Sequence, residues 1–274
     1  MSKYSAPIAK TRDYYDSDNM LNFHNFIYGE HIHIGIYKTG NESIIDANVQ
    51  TLQTISELLK LNSASKVLDL GSGYGGADRY LAEKFGCSVD GLNLSSAQNQ
   101  INRNLNQQRG LDKLIQVFDG SFQEIPTSDS QYDTVLSQDA LLYSNDRLQV
   151  FQEVFRVLQS GGQFLLTDVM FTDNCPQDFY DRTVEIVNVQ LASFQSYRAI
   201  AKQVGFEEIH IIEMPEQVTN QYQKTLDCLE GNFDELLTLC DREFLEYQRV
   251  RLNNWIKIGH QNHLNWGILH FCKP

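Results

Sequence analysis

The fold of this chain is decided by Val67-Leu68-Asp69-Leu70-Gly71-Ser72-Gly73-Tyr74-Gly75-Gly76, an apolar strand that runs directly into a Gly-x-Gly-x-Gly-Gly turn. Residues 77–85 then have the composition of a helix. Glycines let a backbone approach a ligand closely, and the N-terminus of the following helix carries free N–H groups. A glycine-rich turn alone is weak evidence, because such turns also join strands to helices without any ligand.

A second strand strengthens the interpretation of that turn. It covers residues 87–92 and ends at Asn93, about 20 residues beyond the turn, where a polar side chain can bond ribose hydroxyls. Strand, turn, helix, strand and polar end therefore occur in the order of a nucleoside site. This order favours a nucleoside site over a turn that is merely tight.

Strands and helices alternate through most of the chain. The face formed by Leu148, Phe151, Val154, Phe155 and Leu158 marks one of the helices, and Ser95 is a suitable N-cap for another. The alternation predicts a doubly wound, mostly parallel α/β sheet of seven strands. The predicted strands are 66–70, 88–92, 115–118, 133–137, 163–167, 207–212 and 266–272.

The alternation also divides the chain. We expect an N-terminal lid segment (1–41) that is aromatic-rich but irregular, an α/β core (42–213), a helical insert (214–262) and a last core strand (263–274). The insert either caps the site or is a hairpin that only covers the sheet. Its expected core residues are Leu229, Leu236, Leu237, Leu239, Phe244 and Leu245.

Composition limits the classes of partner. The formal net charge is −13, which argues against nucleic acid, because no large basic surface can form. No apolar run reaches the roughly 18 residues that a membrane span needs. Five cysteines without a C-x-x-C pair argue against disulfides or zinc, and we expect a cytoplasmic protein that holds no metal. His24, His31 and His33 lie close together, but structural roles are favoured over a metal site. The sequence assigns no oligomeric state.

Three features favour a methyltransferase over a nicotinamide-dependent oxidoreductase. The ribose position is Asn93, the third strand ends in a turn at 119–122 suited to an adenine edge, and the fourth strand ends in polar residues from Ser137. A second glycine-rich turn is missing, which also counts against the oxidoreductase. A non-catalytic nucleoside-binding module is a further alternative.

With these motifs the chain resembles the class I S-adenosylmethionine-dependent methyltransferases, and within them the sarcosine/dimethylglycine N-methyltransferases of glycine betaine synthesis. Phosphoethanolamine methyltransferases are more distant, sharing Phe26-Ile27-x-Gly29-Glu30. The matching stretches run nearly end to end: His33-Ile34-Gly35-Ile36-Tyr37, 67–76, Leu92-Asn93, Gln98-Asn99, Asp119-Gly120-Ser121-Phe122, Ser137-Gln138-Asp139, Thr172-Asp173-Asn174-Cys175-Pro176 and Trp266-Gly267-Ile268-Leu269.

The resemblance implies S-adenosyl-L-methionine as cofactor and N-methylation of a small amine such as sarcosine or dimethylglycine. Asn93 is expected at the ribose, Ser121 and Phe122 at the adenine, and Gln138 near the methionine end. The expected cofactor residues are Asp69, Gly71, Ser72, Gly73, Asn93, Leu94, Gln98, Gly120, Ser121, Phe122 and Gln138.

The amine site departs from the family pattern. Tyr143 stands where the family has His, Val169-Met170 replaces Pro-Met, and a family Arg falls near Glu185 or Ile186, where Arg182 could substitute. We therefore predict Tyr143 and Tyr15 as catalytic residues and Tyr28, Met170 and Arg182 as substrate residues. The departures leave open a phosphoethanolamine or natural-product N-, O- or C-methyltransferase with a more apolar pocket.

Overall fold

A parallel sheet with one antiparallel strand forms the centre of the molecule. The computed structural model describes residues 6–187 and 189–274. The strands are β1 (Lys66–Leu70), β2 (Ser88–Asn93), β3 (Ile115–Asp119), β4 (Tyr132–Gln138), β5 (Leu158–Phe171), β6 (Ala192–Ser193), β7 (Glu207–Glu213) and β8 (Leu264–Cys272). Their order is β3-β2-β1-β4-β5-β8-β7, and β8 runs antiparallel to both of its neighbours. The predicted seven strands are confirmed, and an eighth, the two-residue β6, pairs with β5.

Helices pack against both faces of this sheet. Serine side chains begin several of them, as Ser95 does by accepting a hydrogen bond from the backbone N–H of Gln98 at 3.1 Å. The helices are α1 (Ala6–Tyr15), α2 (Asp18–Tyr28), α3 (Ile44–Leu58), α4 (Gly76–Phe85), α5 (Ser96–Gln108), α6 (Arg147–Val157), α7 (Gln177–Val187), α8 (Phe194–Val204), α9 (Glu216–Gly231), α10 (Phe233–Leu236) and α11 (Arg242–Gly259).

The N-terminal segment differs from its prediction. It is not irregular but forms α1 and α2, because Ser17 caps α2 and the apolar side chains of Phe23 and Ile27 repeat at helical spacing and are buried. These two side chains pack in one cluster with Leu226 and Leu245 of the insert. Helix α2 therefore packs directly against the insert. The first five residues of the predicted lid lie outside the described residues.

The insert contains the helices expected of it. Leu229, Leu236 and Leu245 are fully buried, as predicted, whereas Leu239 is 43% exposed and is not a core residue. Leu239 lies between α10 and α11, where the helical periodicity is interrupted, so its position in a helix pattern is no guide to its burial. Within residues 6–187 and 189–274, no helix is both long and apolar enough to cross a bilayer.

The strand order places a crevice at one end of the sheet. The chain leaves β1 toward β2 and β3 on one side, and continues from β4 toward β5 on the other. Ligands of open parallel sheets bind at such a reversal, outside the carboxyl ends of the strands. The candidate site is therefore expected beyond Leu70 and Gln138, where β1 and β4 end.

Candidate active site

The glycine turn after β1 has the conformation that its sequence requires. Gly71 and Gly73 have φ of 83° and 53°, in the left-handed region that other residues rarely adopt. A Cβ atom at Gly71 would lie 2.4 Å from the Cβ of Ala140, in the segment that follows β4. The first glycine thus permits close packing of the two strand ends that form the crevice.

A large cavity lies at these strand ends, and twelve of the predicted site residues line it. They come from the ends of the first four strands and from the N-terminal helices. These residues are Tyr15, Tyr28, Gly71, Gly73, Asn93, Leu94, Gln98, Gly120, Ser121, Phe122, Gln138 and Tyr143.

One side of the cavity, which we call the strand-end half, is polar. It consists of Gly71, Gly73, Asn93, Leu94, Ser95, Gln98, Gly120, Ser121, Phe122, Gln138 and Asp139. Asn93 ends β2 and donates from Nδ2 to Gln98 Oε1 at 3.0 Å. Gln98 Nε2 and both amide atoms of Gln138 are buried without a hydrogen-bond partner among the described residues. Buried polar atoms normally find partners, so these amides are available to a polar ligand.

Asp139 connects this half to the N-terminal segment. Its φ of 50° is left-handed, which a short polar side chain tolerates better than most. Oδ2 accepts from the backbone N–H of Ile34 at 2.6 Å, and Oδ1 accepts from Trp266 Nε1 at 2.7 Å and Thr167 Oγ1 at 3.1 Å. Burial raises the pKa of Asp139 to about 6, although the three hydrogen bonds oppose that shift.

A second part of the lining, which we call the aromatic half, consists of Tyr14, Tyr15, His24, Tyr28, Tyr143, Tyr222, Arg251 and Trp255. The hydroxyl of Tyr15 donates to the hydroxyl of Tyr143 at 2.8 Å, and their rings meet edge to face with centroids 5.6 Å apart. Tyr222 stacks on Trp255 with centroids 5.1 Å apart. The Tyr28 hydroxyl forms a hydrogen bond with Thr225 Oγ1 at 3.0 Å. Burial raises the pKa of Tyr15 well above its usual value, so this hydroxyl stays protonated.

Four predicted site residues do not line the cavity. Asp69, in β1, and Ser72, within the glycine turn, are buried, and burial, together with the neighbouring Asp78, raises the pKa of Asp69. Met170 points into the core on the face of β5 opposite to Val169, which does line the cavity. Arg182 has a 68% exposed side chain that pairs with Asp178 one turn earlier. Met170 is turned away from the cavity because side chains alternate along β5, and Arg182 is turned away because it lies on the outward face of α7.

The three histidines lie in two places, since the rings of His31 and His33 meet with centroids 5.8 Å apart, whereas His24 packs against Tyr15 and Tyr28. His24 lines the aromatic half, and its pKa is lowered to about 3 by burial and, to a lesser extent, by Arg251. Burial likewise lowers the pKa of His33 to about 3, while His31 does not line the cavity. Among residues 6–187 and 189–274 no cluster of three or more His, Cys, Asp or Glu side chains is arranged to hold a metal ion.

Comparisons with known proteins agree with this architecture. A family model described as a methyltransferase domain matches residues 68–166. The chain is 43% identical to the sarcosine/dimethylglycine N-methyltransferase of Aphanothece halophytica, over 100% of both proteins. It is 38% identical to the enzyme of that name from Halorhodospira halochloris, over 97% of this chain and 96% of that protein. A solved structure assigned as a sarcosine dimethylglycine methyltransferase of Galdieria sulphuraria matches with a TM-score of 0.89 at 36% identity, covering 95% of this chain and 98% of that one.

The chain belongs to the sarcosine/dimethylglycine N-methyltransferase family. It is an S-adenosylmethionine-dependent methyltransferase, as its sequence predicted. The strand-end half of this methyltransferase fits such a cofactor, because the unpartnered amides of Gln98 and Gln138 and the amide of Asn93 offer hydrogen bonds to a ligand with many polar atoms. A side chain at Gly71 would overlap the Cβ of Ala140, which also lines the cavity.

Several residues of the methyltransferase's cavity were missed in the sequence. Tyr14 belongs to the aromatic-rich N-terminal segment, and Tyr222, Arg251 and Trp255 lie on α9 and α11, about 145 to 185 residues after the glycine turn in the printed sequence. Aromatic residues at helical spacing are usually core residues, so their pattern carries no signal of a site. Asp139 was part of the Ser-Gln-Asp motif, but its left-handed backbone is not readable from sequence.

Proposed function

We propose that this enzyme transfers a methyl group from S-adenosylmethionine to the amine nitrogen of sarcosine and dimethylglycine, so that the final product is glycine betaine. The observation that carries the proposal is the single cavity in which a polar half at the strand ends adjoins an aromatic half. The proposal agrees with the names of relatives that match this chain over nearly its whole length.

The strand-end half would hold the cofactor. Asn93, at the end of β2, is proposed to bond the ribose hydroxyls, with Ser121 and Phe122 at the adenine and Gln138 nearer the methionine. Gly71 and Gly73 let the backbone approach closely. When bound, the cofactor supplies a methyl group activated on a sulfonium, and the protein's own part is to position the amine and to keep water away.

The aromatic half would hold the amine. Methylation of a tertiary amine creates a permanent cation, and aromatic faces stabilise the positive charge that develops on nitrogen. Tyr143 lies nearest to the strand-end half in the chain, directly after β4, and its oxygen already accepts from Tyr15. We propose that the Tyr143 oxygen faces the methyl groups of the amine, where positive charge develops in the transition state, so that the nitrogen lone pair stays free to attack the methyl group of the cofactor. Proton removal from the ammonium is left to water, because a tyrosine hydroxyl bonded to a neutral partner is a weak base near neutral pH.

The N-terminal helices would close the site. Asp16, between α1 and α2, accepts from Ser95 Oγ at 2.6 Å and from the backbone N–H of Ala97 at 3.2 Å. Asn19 donates to Asp241 at the start of α11 at 2.9 Å. These bonds connect the N-terminal helices to both the strand-end half and the insert. Such connections are expected of a lid that covers both. The cysteines at 87, 175, 228, 240 and 272 are all free thiols, which supports a cytoplasmic location for this activity.

The test is a product assay by mass spectrometry with S-adenosylmethionine and a panel of glycine, sarcosine, dimethylglycine and phosphoethanolamine. We expect one methyl group to be added to dimethylglycine and two to sarcosine. Methylation of phosphoethanolamine alone would replace the proposed substrate class. Binding of the cofactor without methylation of any amine, in protein shown to be folded, would contradict the proposal.

A further inference from the structure

A single arginine of the insert lies among the aromatic residues of the cavity. Arg251, on α11, donates from Nη1 to the Tyr14 hydroxyl at 2.6 Å, and its guanidinium carbon lies 5.7 Å from the centroid of the Tyr14 ring. An arginine side chain carries five N–H donors in a planar fork and stays charged at all physiological pH values. One bond to a neutral hydroxyl leaves most of that fork unused.

Within the described part of the chain Arg251 lacks an acidic partner, in contrast to several other arginines, one of which also lines the cavity. Arg79 pairs with Glu30, Arg156 with Glu153, and Arg12, which also lines the cavity, pairs with Asp13. Across the two described ranges, 6–187 and 189–274, Arg251 has no carboxylate within ion-pair distance. Among the described residues that line the cavity Asp139 is the one carboxylate, and its oxygens accept from other donors.

The charge of Arg251 acts on the groups where the amine is proposed to bind. Burial raises the pKa of Tyr222, Arg251 opposes that rise, and the charge of Asp139 adds to it. Tyr222 therefore lies within electrostatic reach of both a positive and a negative group. A cavity with separated opposite charges and aromatic walls is complementary to a zwitterion that carries a carboxylate and a methylated nitrogen.

We propose that Arg251 binds the carboxylate of the amino-acid substrate and thereby gives the enzyme its preference for amines that bear a carboxylate. This inference rests on the proposed function. A guanidinium binds a carboxylate through two parallel N–H···O bonds, which fixes the direction of the attached amine as well as its affinity. Arg251 rather than the exposed Arg182 then takes the role of the arginine that the family pattern places near 185.

The test compares two substrates that share a dimethylamino group. Dimethylglycine has a carboxylate, whereas N,N-dimethylethanolamine has a neutral hydroxyl. For Arg251→Met we expect the KM for dimethylglycine to rise roughly 10- to 150-fold, the range for loss of a hydrogen bond to a charged group. The KM for dimethylethanolamine and the calorimetric Kd for S-adenosylmethionine should change less than about threefold, because neither ligand bears the carboxylate that Arg251 binds.

Two further variants separate this role from general effects of charge. Lys257→Met removes a positive charge from the exposed part of the same helix and should leave both KM values unchanged. Arg251→Lys keeps the charge but loses the fork, so it should recover part of the preference for dimethylglycine. If Arg251→Met does not fold, as judged by circular dichroism, Arg251→Lys still decides the matter through the ratio of the two KM values.

The outcomes are distinct. If the wild-type enzyme methylates dimethylglycine and an Arg251 variant keeps the wild-type ratio of KM values, the role of Arg251 is overturned while the proposed function stands. The same holds if Arg182→Met, and not Arg251→Met, loses affinity for dimethylglycine. If the wild-type enzyme methylates no amino acid at all, the proposed function and the role of Arg251 are both overturned.

Discussion

The two halves of the cavity are built in different ways. The strand-end half comes from residues 71–139, where each polar side chain or glycine directly follows a strand or begins the next helix. The aromatic half joins groups that are remote in the chain, since Tyr15 bonds Tyr143 across 128 positions and Arg251 bonds Tyr14 across 237. The half proposed to bind the cofactor is thus local in sequence, whereas the half proposed to bind the amine depends on long-range packing.

The largest effect is expected from the glycine turn. Gly71→Ala places a Cβ 2.4 Å from the Cβ of Ala140, at a backbone φ of 83°. Overpacking of this kind costs roughly 1–3 kcal/mol, so we expect cofactor affinity to fall by up to about 100-fold. Calorimetric titration with S-adenosylhomocysteine measures this loss.

Gly161→Ala is the matched control for this variant. Gly161 has a similar φ of 78°, but a Cβ there meets nothing within 4 Å, and it lies outside the cavity. It should have the same backbone strain without the loss of cofactor affinity. Equal affinities in the two folded variants would show that the turn does not approach the cofactor.

A smaller effect is expected at Asn93. Asn93→Ala removes a partner of Gln98 and the proposed bond to the ribose, and an unmade buried hydrogen bond costs about 1–3 kcal/mol. Cofactor affinity should fall by roughly tenfold or more, while the KM for the amine stays within a factor of two or three. Asn104→Ala, on the exposed face of α5, is the control. A change confined to the amine's KM would reverse the assignment of the two halves.

Tyr143→Phe tests the aromatic half. It keeps the ring and removes the hydroxyl that accepts from Tyr15. Loss of the proposed contact between the Tyr143 oxygen and the positive charge that develops on the amine, a contact made chiefly in the transition state, should lower kcat by about 2- to 12-fold with cofactor Kd unchanged. Tyr80→Phe, outside the cavity, is the control for removal of a tyrosine hydroxyl. Full turnover in Tyr143→Phe would leave Tyr143 with a packing role only.

The smallest effect concerns pH, which acts on the two halves in opposite directions. Burial raises the pKa of Asp139 to about 6, so its contribution to stability is present below about pH 4 and is lost as pH rises to 6. Burial lowers the pKa of His24 to about 3, so its contribution is present above about pH 6.5 and is lost as pH falls.

These contributions are measured by denaturant unfolding at pH 4.5 and 6.5. Each is the free energy of unfolding of the wild type minus that of the variant. The difference for Asp139→Asn should decrease with rising pH and that for His24→Gln should increase, each by on the order of 1 kcal/mol. Slopes of the same sign, or no slope for either variant, would mean that burial does not control the pKa values of these two side chains.

Sequence and structure agree best where the local sequence determines the local structure. The order of strands and helices and the N-cap at Ser95 were predictable, because periodicity and turn residues determine them. The exposure of Leu239 and the helical structure of the N-terminal segment were not predictable, since both depend on what packs against these residues. Arg251 was not predictable for the same reason: an arginine on an amphipathic helix has the same pattern whether it faces solvent or a cavity.

The most direct measurement is a crystal structure of the enzyme with S-adenosylhomocysteine and dimethylglycine. We predict that the ribose contacts Asn93, that the adenine lies against Phe122, and that the amine nitrogen lies in the aromatic half beside Tyr143 with its carboxylate on Arg251. The account would be contradicted by a nucleoside in the aromatic half, or by an amino acid bound with its nitrogen remote from Tyr143.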